Sequence, residues 1–235
     1  MPEIKSTGSA AAAQMPAVKK PSVPAVVEIV FDVFYLCFVL CAGVWLLLRQ
    51  QSTAALLYGI MALCLGGGDA FHLVPRICAQ ATGTMAQRYR ALGFGKLVTS
   101  VTMTVFYVLL YHVWCAVYAQ PVQGVLTAIV YVLALVRIVL CLLPQNAWLT
   151  KTPPLRWGIY RNAPFVLLGA LVLVLFAVTA ASGDGFSLMW LAIAVSFGCY
   201  LPVTLLAQSR PKVGMLMLPK TCAYLWMVCM GFSLL

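Results

Sequence analysis

Apolar residues in this chain come in long uninterrupted blocks and do not alternate with polar ones. Seven blocks stand out, at 26–48, 53–75, 95–118, 121–143, 162–181, 186–207 and 213–235. A helix rises about 1.5 Å per residue, so about 20 apolar residues cross a hydrocarbon core of about 30 Å. The pattern predicts an all-α polytopic membrane protein with seven transmembrane helices. A transmembrane β-barrel is excluded, because its strands are short and alternate between lipid and lumen. Composition agrees: 63% of the 235 residues are hydrophobic and 9% charged, which no soluble core would hide.

The first 25 residues read differently. They hold the alanine run Ala10 to Ala13, four prolines and three lysines, and are expected to be a disordered tail ahead of a 26–235 bundle. The first apolar run starts late and is longer than the apolar region of a signal peptide, so it is expected to remain as an anchor. Loops are short except 76–94 and 144–161, which argues for one bundle.

Charge sets the orientation. The net charge is +10, and twelve of the 15 Lys and Arg fall in the tail and in the second, fourth and sixth loops. Only Arg49 lies on the opposite side. The positive-inside rule then predicts a cell-membrane protein with its N-terminus in the cytoplasm and its C-terminus outside. A basic face of this kind meets anionic headgroups, so membrane lipids are the expected partners and nucleic acid is not. Trp148, Trp157 and Tyr160 suit the inner interface, and Tyr111, Trp114 and Tyr118 the outer one. Eight of the nine cysteines fall inside apolar runs and read as small packing residues. Gly66, Gly67 and Gly68 permit close helix approach, and Pro202 and Pro219 are expected to kink the last two helices.

Of five acidic residues, Glu3 is in the tail and Asp184 in an outer loop, while Glu28, Asp32 and Asp69 lie within spans. Charge at membrane depth is costly, about 2.5–3.5 kcal/mol on insertion scales, so such groups are functional candidates. Asp69 lies about 10 Å from Arg76 along its helix, and Asp32, Arg137 and Lys220 fall at a similar level. Helical spacing groups Glu28 with Asp32, Asp69 with His72 and Arg76, and Lys220 with Tyr224. These groups are expected to converge on a polar cavity open to the cytoplasm. Each also has a plainer role. Glu28 complements the helix dipole if it sits in a first turn. Asp69 serves as a counter-ion for Arg137 or Lys220, His72 as a satisfied buried histidine, and the two bases snorkel to the interface. His112, among aromatics near the outer end, reads as structural. Two histidines at opposite faces make a metal centre improbable, and a retinal site lacks a carboxylate in the third helix, so no cofactor is expected.

The segment Leu65-Gly66-Gly67-Gly68-Asp69-Ala70-Phe71-His72-Leu73-Val74-Pro75-Arg76, followed by Leu92-Gly93-Phe94-Gly95, resembles the YhhN-like lysoplasmalogenase family over about 45 residues. The resemblance implies a multi-helix hydrolase that cleaves the vinyl-ether bond of a lysophospholipid, with Asp69 as acid or base. Asp69 is the only residue the motif carries over; from the polar cluster itself, Asp32 and His72 are further catalytic candidates, and Arg76, Arg137, Lys220 and Tyr224 candidate holders of the substrate. The chain departs from the family in having seven expected helices where eight are usual. The sixth carries Ser196-Phe197-Gly198 without the family's second aspartate, for which Asp32 is a substitute from the first helix. Two alternatives stay open: a small proton-coupled transporter using Asp69, His72 and Lys220, and a non-catalytic membrane scaffold or sensor.

Overall fold

A computed structural model of the chain describes residues 22–84, 87–120, 124–180, 184–206 and 209–235. Most of the expected tail lies outside the described residues. Seven helices among those described are long and apolar enough to cross a membrane. They are α1 (Val23–Arg49), α2 (Thr53–Thr82), α3 (Tyr89–Val117), α4 (Gly124–Leu142), α5 (Leu155–Thr179), α6 (Met189–Leu206) and α7 (Met217–Met230). Single 3-10 segments, Pro211–Leu216 and Gly231–Leu234, extend α7 at both ends.

The helices follow one another around a ring, each packed on its predecessor, with α7 closing against α1 and α3 also touching α5. Tyr35, Tyr58, Phe106, Tyr107, Tyr111, Phe176 and Phe186 fill the interior, each at most 2% exposed. Aromatic polar tips reach backbone acceptors across helices, as buried polar groups require. The Tyr58 hydroxyl donates to the Met227 carbonyl, and Trp114 Nε1 donates to the Leu175 carbonyl at 3.2 Å and to Thr179 Oγ1 at 3.0 Å.

Three boundaries lie about two turns from the sequence expectation. α2 does not stop at Pro75; it runs on to Thr82 and ends on Gly83, a left-handed cap (φ 67°) whose N–H returns to the Ala79 carbonyl. Pro75 removes one hydrogen bond, to the Phe71 carbonyl four residues back. That carbonyl lies against Gly95 of α3, where any Cβ would collide with it. Gly68 does the same for Thr102, so α2 and α3 pack with little between them. α3 and α5 start about two turns earlier than expected, at Tyr89 and Leu155. Two features change role as a result. Glu28 is beyond the first turn of α1 and pairs with Arg76 instead of capping a dipole. Pro219 falls in the first turn of α7, where its missing N–H costs nothing, so it does not kink the helix interior.

Candidate functional site: a basic cavity at one end of the bundle

The loop after α4 is the scaffold of the site. The last carbonyls of a helix have no partners of their own. Here Asn146 supplies them: its Nδ2 donates to the carbonyls of Leu140, Cys141 and Leu143 at 2.6, 3.3 and 2.9 Å. Trp148 Nε1 donates to the Cys141 carbonyl at 2.8 Å. Ala147 turns the chain with a left-handed φ of 48°. Arg161 of α5 then locks the loop from the other side, donating to Asn146 Oδ1 at 2.9 Å while its guanidinium lies 4.1 Å from the Trp148 ring centroid. The Trp148 carbonyl presses on Gly93 of α3, where a Cβ would overlap it. The loop is thereby fixed as a wall and not left as a tether.

Behind this wall is a cavity of about 460 Å³, within the range of about 300–1,000 Å³ usual for small-molecule sites. Five basic residues line it: Lys96 from α3, Arg137 from α4, Lys151 from the loop, Arg161 from α5 and Lys220 from α7. No Asp or Glu is among the described lining residues. Burial deepens inward. Lys96 and Lys151 are exposed, Arg161 is partly buried, and Arg137 and Lys220 are only 1% and 8% exposed. Arg137 Nε and Nη1 have no hydrogen-bond partner, nor has Nδ1 of His72, which also faces the cavity. A buried guanidinium with two unanswered nitrogens is costly, and polar groups in native interiors are nearly always satisfied.

Each aromatic ring in the lining is paired with one of these cations. Arg137 lies 3.3 Å from the Phe165 centroid, Lys151 5.7 Å from Tyr89, and Lys220 4.7 and 5.6 Å from Tyr224 and Tyr200. Cation–π attraction offsets part of the desolvation cost, about 2 kcal/mol for a dry contact, but supplies no negative charge. Several lining hydroxyls are already used as donors: Thr99 to the Gly68 carbonyl, Ser100 to the Lys96 carbonyl, Thr150 to the Ala147 carbonyl and Tyr200 to Asn162 Oδ1.

The residues singled out in the sequence divide between this cavity and its surroundings. Arg137, Lys220, Tyr224 and His72 line it; Asp69, Asp32 and Arg76 do not. Asp69 is 8% exposed and accepts a 2.7 Å hydrogen bond from the Tyr35 hydroxyl of α1. Lys220 is the cation that acts on it, although the pair is not within salt-bridge distance. Asp69 is therefore a carboxyl group held outside the cavity lining, against Tyr35. Arg76 turns to α1, where it pairs with Glu28, and Gln80 donates to the same carboxylate at 2.6 Å. Asp32 sits beside that cluster, 5% exposed, with Oδ2 unpartnered. The expected stripe of Asp69, His72 and Arg76 splits because positions three apart differ by roughly 60° around a helix and positions seven apart by only about 20°. His112, at the other end, shares a 2.8 Å hydrogen bond with Tyr131 and lies outside the cavity.

In the sequence Lys96, Lys151 and Arg161 read as loop charges. The earlier starts of α3 and α5 carry Lys96 and Arg161 into the bundle, and the folded loop brings in Lys151. A sequence signal was present in the Trp148–Arg161 interval, which is rich in aromatic and basic residues. Searches against protein-family models, curated proteins and solved structures find no match for this chain.

Proposed function

We propose that this is a multi-pass protein of the cell membrane, N-terminus inside, whose cytoplasm-facing cavity binds the anionic headgroup of a membrane amphiphile. The observation that carries it is the convergence of five basic side chains from four elements and a loop on one cavity without a carboxylate. Orientation follows from the same bases, since the cavity occupies the basic end of the bundle. At that depth its mouth meets the inner leaflet, which attracts anionic lipid and supplies single-chain amphiphiles laterally. Apolar lining residues such as Leu92, Met103, Val203 and Met217 suit the start of an acyl chain. The test is binding of a lysophospholipid to detergent-purified protein, against monoacylglycerol as the uncharged control. Retention of the charged amphiphile alone, weakened by salt, supports headgroup capture; equal retention of both refutes it.

A second reading is hydrolysis of a lysoplasmalogen, with Asp69 governing the acid–base step. It is supported by the position of Asp69, which couples Tyr35 on one side to the cavity cation Lys220 on the other. Vinyl-ether cleavage protonates the alkenyl carbon and adds water to the resulting oxocarbenium ion, giving an aldehyde and a glycerophospho-headgroup. Aldehyde release by wild type but not by Asp69→Asn is the expected result; absence of aldehyde from folded wild type that still binds the lipid leaves a binding protein. No observation favours the transporter, since the described lining does not extend to His112.

A further inference from the structure

Resting on the cavity as a headgroup site, we propose that the group it selects is a phosphate monoester, on an amphiphile or free, and not the zwitterionic phosphodiester of a choline or ethanolamine lipid. Thr99, Ser100, Thr150 and Tyr200 already donate to acceptors of the protein, so they offer a ligand only lone pairs. The unpartnered buried donors of the lining cations are Arg137 Nε and Nη1, while Lys220 beside Tyr224, and Lys96 and Lys151 nearer the mouth, add positive charge. A ligand matching this set brings acceptors and negative charge in excess. Nε and Nη1 lie on different edges of the guanidinium, so each offers a separate charge-assisted hydrogen bond to an acceptor oxygen. A monoester has three terminal oxygens and about −1.5 to −2 charge near neutral pH, enough to answer both buried cations. A diester has two such oxygens and one charge.

Choline and ethanolamine heads meet a second obstacle. A quaternary ammonium is recognised by open aromatic faces or by carboxylates. The described lining has no carboxylate, and Tyr89, Trp148, Phe165, Tyr200 and Tyr224 each already hold a cation of the chain itself. A ligand cation would be placed among five like charges and repelled.

Four probes test this on detergent-purified full chain: lysophosphatidate, lysophosphatidylglycerol, lysophosphatidylcholine and inorganic phosphate, titrated against wild type and Arg137→Met. Lysophosphatidate is expected to bind at least tenfold tighter than the glycerol diester and tighter still than the choline lipid, with tenfold or greater loss in Arg137→Met. Inorganic phosphate as tight as lysophosphatidate supports the monoester and assigns its source to solution; much weaker phosphate supports the monoester on an amphiphile. Lysophosphatidylcholine as tight as lysophosphatidate, both lost in the variant, overturns the monoester and leaves the headgroup site standing. No binding of any probe overturns both. Because Lys220→Met strands Asp69, the paired variant Asp69→Asn/Lys220→Met is the second probe of the inner cations, with a similar selective loss expected.

Discussion

Replacing Arg137 by methionine separates what this side chain does for binding from what it does for folding, because the two effects have opposite signs. Arg137 is 1% exposed, with Nε and Nη1 unpartnered and its guanidinium 3.3 Å from the Phe165 centroid. Without a ligand it carries a desolvation cost of several kcal/mol, against which the ring returns about 2 kcal/mol. Methionine keeps most of the apolar stem and removes the charge, so the ligand-free variant is expected to be as stable as wild type, or more stable by about 1–2 kcal/mol. Binding goes the other way. A hydrogen bond to a charged group contributes about 1.5–3 kcal/mol, which is a loss of about 10- to 150-fold in affinity. Arg137→Lys retains charge without the planar fork and should fall between the two. Thermal melts in detergent, with and without lysophosphatidate, read both quantities from one sample. A variant less stable by more than about 2 kcal/mol that binds as wild type would show Arg137 to be a packing residue, and the assignment of its free donors to a ligand would fail.

Asp69→Asn removes the carboxylate that Tyr35 donates to and that acts on Lys220. The ligand-free protein is expected to lose about 3 kcal/mol of stability, the scale for a buried charge left uncompensated, and less when saturated with a phosphate monoester that supplies the missing charge. An equal loss in both states, measured by melting, would detach Asp69 from the cavity. Gly93→Ala forces a methyl into the Trp148 carbonyl, so it should displace the loop wall and weaken anion binding at least tenfold. Gly67→Ala, which meets open space, should leave binding unchanged. Outside the spans, burial and then the Asp184 carboxylate, which accepts from Tyr118 at 2.6 Å, push the Tyr118 hydroxyl up to about 12. The fold favours the neutral phenol, so this stabilisation is full below pH 10 and is lost as pH rises towards 12. The ultraviolet titration difference between wild type and Tyr118→Phe should show that midpoint, moving down towards 10 in Asp184→Asn.

Much of this architecture is legible in the residue pattern, because any helix able to cross a membrane obeys one rule: about 20 apolar residues with backbone groups satisfied internally. The ends were harder. Pro75 reads as a stop, yet α2 continues because the carbonyl it frees finds room at Gly95, a residue 20 positions away in another helix. The site was half legible. Arg137 and Lys220 declare themselves as bases inside apolar runs, and both line the cavity. Lys96 and Arg161 do not, since a charge within two turns of a helix end looks like a loop charge until the end is located. Asp69 stands out as one of three acidic residues within the apolar runs, but rarity carries no direction. Its helix turns it towards Tyr35, and it reaches the cavity only through Lys220.

The most direct test is native mass spectrometry of the full chain released from mild detergent, before and after addition of lysophosphatidate. Wild type is expected to carry one phosphate-bearing adduct, retained at activation energies that strip detergent, and Arg137→Met to carry little or none. Wild type that stays free of any anionic adduct after addition, or a variant that holds the adduct as firmly as wild type, would contradict capture of an anionic headgroup by this cavity.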